Sequence, residues 1–364
     1  MHIVLSGYYG FDNVGDDAIL LSIIQGLKKW QHDIEITVLS NNPSATEQTY
    51  GVKAVNRWKM KEIHQLLKTA DGLISGGGSL MQDQTGMKTI PYYAGVIQIA
   101  KWLKKPVFVY AQGMGPINHP LSKFIVRTVF NKVEQITVRD RASLALLTEI
   151  GVRKETKIVP DPVMGLNGND FHCEWLENVS LSADSYISVS VRDWPSAVAY
   201  KEKIAHSLDE LVRQGEQIVF LPMHGEHDFI TSQEVAALMK EKSLIAPADL
   251  SIEEKITVIG QSQLLIGMRL HSLIFSAIYA TPFIAISYDP KIDAFADIVE
   301  QPVIGHVEVD DWNGVTLFEQ AVAILESYTT VQEKMRQAVI PLQDEATATA
   351  KLAIEAFSKV QRRI

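Results

Sequence analysis

The chain of 364 residues has a single cysteine, Cys173. That excludes an intramolecular disulfide and a cysteine-rich zinc site, and leaves a thiol in a reducing compartment as the expectation. Prolines number 14 and charged residues make up 21% of the chain, so long disordered tracts are excluded. No run of about 18 apolar residues occurs, so no membrane-spanning helix is expected. The opening run Met1–Ser6 stops at Gly7, too short for a secretory signal, and a cytoplasmic location is expected. Positive charge is the minority: 34 Lys and Arg against 43 Asp and Glu, a net charge of −9. Nucleic acid, which needs a basic face to neutralise phosphates, is an unsuitable partner. Ten histidines are present, but HExxH spacing is absent and no metal or other cofactor is assigned.

What is present is apolar material for two cores, 46% of the residues, arranged as short apolar runs alternating with longer amphipathic ones. That is the pattern of a parallel α/β sheet. Strands are expected at His2–Ser6, Ile34–Ser40, Gly72–Ser75, Pro106–Ala111, Gln135–Arg139 and near Lys157–Val159. A second set is expected at Ser185–Arg192, Gln217–Pro222, Gln263–Met268 and Pro282–Ser287. The clearest helix is Asp16–Trp30, with Ile19, Leu20, Ile23, Ile24 and Leu27 on one face. The expected division is a Rossmann-like domain over 1–165, a linker over 166–182, a second Rossmann-like domain over 183–330, and a C-terminal helix over 331–364 packing back on the first domain. Two doubly wound domains facing across a cleft are the expected architecture, with ligands beyond the carboxyl ends of the strands.

The loop after the first strand, Gly7 to Asp17, carries three glycines but neither a GxGxxG fingerprint nor a Walker A lysine. Asp12, Asn13, Asp16 and Asp17 offer acceptors suited to sugar hydroxyls; turn chemistry and N-capping account for Asn13 or Asp16 equally well. Ser75-Gly76-Gly77-Gly78-Ser79-Leu80 follows a buried strand, and three glycines there point to a ligand approaching the backbone or to a close structural crossing. Gln112-Gly113-Met114-Gly115-Pro116 is a weaker case of the same kind. Arg139 closes the fifth strand, facing a ligand or pairing with a neighbouring acid.

In the second half, Arg269-Leu270-His271 opens a helix. An open helix N-terminus attracts anions, a guanidinium grips carboxylate or phosphate, and an imidazole delivers a proton near neutrality. Lys291 is another cation at a strand end. His224, His227 and Asp228 form a further polar group, read as hydrogen-bonding rather than metal-binding. A small polyanion beside a polyhydroxyl acceptor is the ligand pair these residues suit.

Gly10-Phe11-Asp12-Asn13-Val14-Gly15-Asp16-Asp17, Gly76-Gly77-Gly78-Ser79-Leu80, Val138-Arg139-Asp140, Pro160-Asp161-Pro162 and Arg269-Leu270-His271 together resemble the polysaccharide pyruvyl transferase family, most of all its CsaB-type members from Gram-positive bacteria. The ordered set spans about residues 7–291. The resemblance implies a GT-B-like fold and phosphoenolpyruvate as donor substrate. The implied acceptor is N-acetylmannosamine in a lipid-linked secondary cell-wall precursor. The product would be a 4,6-linked pyruvate ketal that S-layer proteins grip. It further implies that Arg139, Arg269, Lys291 and the Leu270 backbone hold the donor and that His271 is the general acid. Asp16 or Asp17 as base, and Asp12, Asn13, Gly76, Gly77, Gly78 and Ser79 on the acceptor side, follow from the residue reading alone. A lipid-linked acceptor would bring the protein to the inner membrane face, where Pro120–Val133, with Lys123, Arg127 and Lys132 among Phe124, Ile125, Val129 and Phe130, is either a contact helix or a packed domain helix. The rivals are a nucleotide-sugar-dependent glycosyltransferase or epimerase of the same fold, and a non-catalytic sugar-binding protein.

Overall fold

Runs such as Ile3-Val4-Leu5 and Leu264-Leu265-Ile266 are apolar on both strand faces and fully buried, as strands covered by helices on both sides must be. In the computed structural model, which describes residues 1–84 and 86–361, these runs build two parallel sheets. The first contains β1 (His2–Tyr9), β2 (Glu35–Ser40), β3 (Lys53–Asn56), β4 (Gly72–Ser75), β5 (Gly78–Met81), β6 (Val107–Met114), β7 (Gln135–Val138) and β8 (Thr156–Ile158). Its order is β3-β2-β1-β4-β6-β7-β8, with β5 paired to β6. The second contains β9 (Ile187–Ser190), β10 (Ile218–Phe220), β11 (Leu244–Ile245), β12 (Leu264–Gly267), β13 (Phe283–Ser287) and β14 (Val303–His306), in the order β11-β10-β9-β12-β13-β14.

The chain divides into two compact units, Met1–Leu166 together with the chain from Leu342 on, and Asn167–Pro341. Both are parallel-sheet α/β domains, the two-domain make-up of a GT-B-like fold. The stretch 166–182 is no bare connector: from Asn167 it folds into unit 2, with a short helix at Glu174–Asn178 and Cys173, Leu176 and Leu181 buried. The last helix, Tyr328–Gln361, carries Pro341 at the boundary between units; residues 362–364 lie outside the described residues.

In unit 1 the helix Val14–Trp30 buries Ile19, Leu20, Ile23, Ile24 and Leu27. Asp16 and Asp17 in its first turn and Lys28 and Lys29 in its last complement the helix dipole. The helix Pro120–Phe130 buries Ser122, Val126, Val129 and Phe130 and exposes Leu121 and Phe124, so it is packed and also presents an apolar outer edge. No helix among the described residues is long and apolar enough to cross a membrane.

In each sheet the chain adds strands outward on one side and then switches to the other. The switch falls between β1 and β4 in unit 1 and between β9 and β12 in unit 2. Loops after these four strands flank the position where open α/β sheets bind ligands.

Candidate functional site

At the switch point of unit 1, Asn13 is the N-cap of the helix Val14–Trp30. Its Oδ1 accepts from the N–H of Gly15 at 3.1 Å and of Asp16 at 3.4 Å, so the capping reading holds for this side chain. Asp12 is exposed and takes a positive φ of 55°. Asp16 and Asp17 are half-buried. The Asp16 carboxyl is pushed up to about 7, first by burial and then by Asp17, against the pull of Arg139.

The glycines are explained by close approach. A Cβ on Gly76 would lie 2.1 Å from the Tyr9 hydroxyl, and one on Gly78, at φ 85°, would lie 2.5 Å from Asp16 Oδ1. Gly77 meets Ile19 in the same way. These residues therefore seat the protein's own side chains, and Gly78 and Ser79 belong to strand β5 rather than to an open loop. The Tyr9 hydroxyl behind them is buried and has no hydrogen-bond partner among the described residues.

Arg139 is committed within unit 1. Its Nη1 donates to Asp161 Oδ2 at 3.0 Å and its Nη2 to Ser79 Oγ at 3.2 Å. Asp161 is buried and also accepts from the Val163 N–H at 3.1 Å. Unit 1 thus brings together Asp16, Asp17, Gly78, Ser79 and Arg139, with Asp161 as the arginine's anchor.

Unit 2 places cations at the equivalent positions. Arg269, just past β12, donates through Nε to Asp228 Oδ2 at 2.7 Å and through Nη2 to Asp228 Oδ1. Asp228 is almost fully buried and accepts a further bond from the Met223 N–H at 3.2 Å. The fork is thereby fixed in one orientation. Arg269 is also the N-cap of the helix Leu270–Tyr279 and makes no side-chain cap bond. Leu270 and His271 are the first two helical residues, both half-buried, where the helix dipole favours an anion. Lys291 is exposed in the first turn of the helix Pro290–Ile298; its N–H bonds the Asp289 cap at 2.9 Å, and its ammonium forms no ion pair among the described residues.

Sequence reasoning missed Arg192. It follows β9, across the switch point from Arg269. Its Nη1 donates to the Tyr288 hydroxyl at 2.8 Å, and its guanidinium lies 4.7 Å from the Tyr288 ring centroid and 5.2 Å from that of Trp194. No carboxylate pairs with it among the described residues. The signal was present, a strand end followed by Arg-Asp-Trp, but the strand was read through Arg192 and so hid it.

His224 and His227 stack at 5.5 Å. The His224 imidazole is held below its usual range, first by burial, then by Arg269, with His227 and Arg192 adding to the effect and Asp228 opposing it. His224 is the N-cap of the helix that carries Asp228, the anchor of Arg269. Among the described residues no three His, Cys, Asp or Glu side chains are grouped to hold a metal ion.

The sequence model of the polysaccharide pyruvyl transferase family matches residues 13–290. The amylovoran biosynthesis protein AmsJ of Erwinia amylovora is 22% identical, over 93% of this chain and 95% of that protein. Among solved structures, Anabaena HepE in complex with UDP-glucose is similar at 12% identity and a TM-score of 0.63, covering 99% of this chain and 100% of that one. Staphylococcus aureus MnaA with UDP is similar at 12% identity and a TM-score of 0.66, covering 100% and 98%. A glycosyltransferase of Rickettsia africae is similar at 14% identity and a TM-score of 0.66, covering 100% and 99%. At these identities the structures speak to the fold alone.

Proposed function

This chain belongs to the polysaccharide pyruvyl transferase family, and on that premise we propose that it moves the pyruvyl group of phosphoenolpyruvate onto N-acetylmannosamine of a lipid-linked cell-wall precursor, as a ketal that anchors S-layer proteins. That it is a polysaccharide-modifying transferase rests on the family match and on the relation to AmsJ. The observation that carries the donor assignment is the pair of guanidinium groups flanking the unit 2 switch point. Arg269 is aligned by Asp228, and Arg192 is free of any carboxylate among the described residues. Together with the open helix end at Leu270 they form a receptor for a carboxylate and a phosphate. Lys291 supplies a further positive charge.

In the proposed reaction His271 protonates the methylene carbon of phosphoenolpyruvate, which becomes the methyl group, and positive charge builds at the neighbouring carbon. One acceptor hydroxyl forms a C–O bond to that carbon and gives up its proton to Asp16. The second hydroxyl forms the other C–O bond as the bond to phosphate breaks, and its proton leaves with the phosphate. The acceptor gains C₃H₂O₂, and no oxidant or reductant is needed. Asp16 suits the base role better than Asp17, because a carboxyl with a midpoint about 7 is poised for proton transfer at neutral pH. The arginines stabilise the charge on the departing phosphate. Arg139, with its fork on Asp161 and Ser79, acts in this reading by holding Ser79 and by lowering Asp16. Leu121 and Phe124, beside Lys123 and Arg127, would meet the inner membrane face that carries the acceptor.

The test is phosphate release from phosphoenolpyruvate with and without a β-linked N-acetylmannosamine disaccharide bearing an apolar aglycone, in the presence of EDTA. Acceptor-dependent release with a mass gain of C₃H₂O₂ supports ketal transfer. Binding of a uridine sugar nucleotide with no release would replace this reading by a glycosyltransferase or epimerase.

A further inference from the structure

Beyond the carboxyl ends of β1, β2 and β3, unit 1 carries an arrangement that the donor and the proton transfers do not use. Arg57, the residue after β3, is 3% exposed. Its Nη1 donates to the Gly7 carbonyl at 2.9 Å and its Nη2 to the Tyr93 hydroxyl at 3.1 Å. No carboxylate pairs with it among the described residues. Four rings surround the guanidinium instead: Tyr92 at 4.4 Å, Phe11 and Trp58 each at 5.1 Å, and Tyr93 at 5.3 Å. A desolvated cation under aromatic faces is held by their quadrupoles and in turn fixes the rings.

Trp58 of this cage and Tyr8, which stacks on its Phe11, face solvent. Trp58 is 59% exposed and Tyr8 is 40% exposed. Exposed aromatics often lack fixed neighbours, but both of these have them. The Trp58 indole N–H donates to Asn41 Oδ1 at 3.0 Å, and the ring leans on Tyr92 at 5.3 Å. Tyr8 lies flat on Phe11, with centroids 4.1 Å apart and planes 7° from parallel. Asn41, bonded to the Trp58 indole, and Asp12, which follows Phe11 in the chain, are both exposed. Trp102 in the same unit is more exposed, at 74%, and no such support surrounds it among the described residues.

The geometry points to Trp58 and Tyr8 as a carbohydrate-binding shelf for the polysaccharide acceptor. A pyranose ring presents an apolar C–H face and a rim of hydroxyls. A rigid exposed indole matches the face, and the Asp12 carboxylate and the free amide of Asn41 match the rim. The cation holds Trp58 and Phe11, on which Tyr8 stacks, so little ordering is needed when the sugar docks. The shelf lies on the side of the sheet where ligands of this fold bind. It deepens the reading of a polysaccharide acceptor and rests on it.

The experiment is a glycan array probed with the full chain, comparing wild type, Trp58→Ala, Trp58→Phe and Trp102→Ala, with uridine diphosphate as competitor. The expected result is glycan binding by wild type that falls about 10-fold or more in Trp58→Ala, recovers in Trp58→Phe, and is unchanged in Trp102→Ala. Equal binding by Trp58→Ala overturns the shelf, as does no glycan binding by wild type. Loss of glycan binding to uridine diphosphate, with Trp58→Ala no longer responding to the nucleotide, overturns it in favour of a base-stacking surface. The failure of the donor reading is separate: glycan binding that depends on Trp58 while phosphoenolpyruvate yields no phosphate would leave the shelf standing and remove ketal transfer.

Discussion

The two units share one strand order around their switch points, yet the loops at those points have opposite chemistry. After β1 and β4, unit 1 has Asp16, Asp17 and the glycines that make room for Asp16 and Tyr9. After β9 and β12, unit 2 has Arg192 and Arg269. Each unit also holds one arginine on a buried carboxylate and one in an aromatic cage. Arg139 sits on Asp161 and Arg269 on Asp228; Arg57 is caged by four rings and Arg192 by two. The difference lies in access. Arg57 is sealed and serves its rings, whereas Arg192 is half-buried and keeps donors for a ligand. A shared framework therefore supplies an acidic, proton-accepting face in one unit and an anion receptor in the other, and side chains rather than topology decide which.

The largest expected effect tests whether unit 2 does chemistry as well as binding. His271→Ala is expected to lower kcat by roughly 10²–10⁴-fold while phosphoenolpyruvate still binds. A loss confined to KM would reduce His271 to a ligand. Next, Arg192→Ala is expected to weaken phosphoenolpyruvate about 10–100-fold, the worth of a charge-assisted hydrogen bond. Arg57→Ala should leave donor affinity unchanged and instead lower stability by about 2–4 kcal/mol in denaturant titrations. If the two substitutions behave alike, the contrast between open and sealed cages fails.

On the acidic side, Asp16→Asn is expected to abolish the limb of the kcat profile that rises through about pH 7, because a base must be deprotonated to act. Stability should move the other way. Burial raises the folded-state value well above the ordinary carboxylate range, so the folded state prefers the protonated carboxyl. That contribution is complete below the unfolded value and is lost as pH rises through about 7. Asp16→Asn should therefore stabilise the protein by about 2 kcal/mol at about pH 8, after allowance for the partial exposure of the carboxyl, and by almost nothing at about pH 4. An unchanged difference between the two pH values would show that Asp16 titrates normally.

What could be read in advance follows from the same contrast. Arg269-Leu270-His271 was legible because a buried apolar strand ends there and polar residues open the helix that follows. The edge strands β3, β11 and β14 were not, because they are only two to four residues long and largely half-exposed. With β3 unseen, Arg57 and Trp58 had no strand end to follow. Asp161 and Asp228 were visible as residues but not as anchors, since each meets its arginine from 22 and 41 positions away. Cation–aromatic cages leave no spacing signature, because some of their rings come from far along the chain, Phe11 and Tyr92 to Arg57 and Tyr288 to Arg192.

The smallest expected effect probes the charge balance of unit 2 directly. His224 is held below its usual value by burial, by Arg269, and more weakly by His227 and Arg192, while Asp228 pulls upward. Replacing Arg269 by Gln removes a repelling charge and also frees Asp228, so the His224 midpoint followed by NMR should rise. Arg192→Gln should raise it less, since Arg192 is the weakest of the causes. Asp228→Asn should lower it. Phosphoenolpyruvate, bringing negative charge between the arginines, should raise it in the wild-type protein, and less so in Arg192→Gln. A His224 midpoint indifferent to Arg192 but responsive to Arg269 would leave a single anchored arginine beside the helix end. The receptor for two anionic groups, on which the donor assignment depends, would then lack one of its two arms.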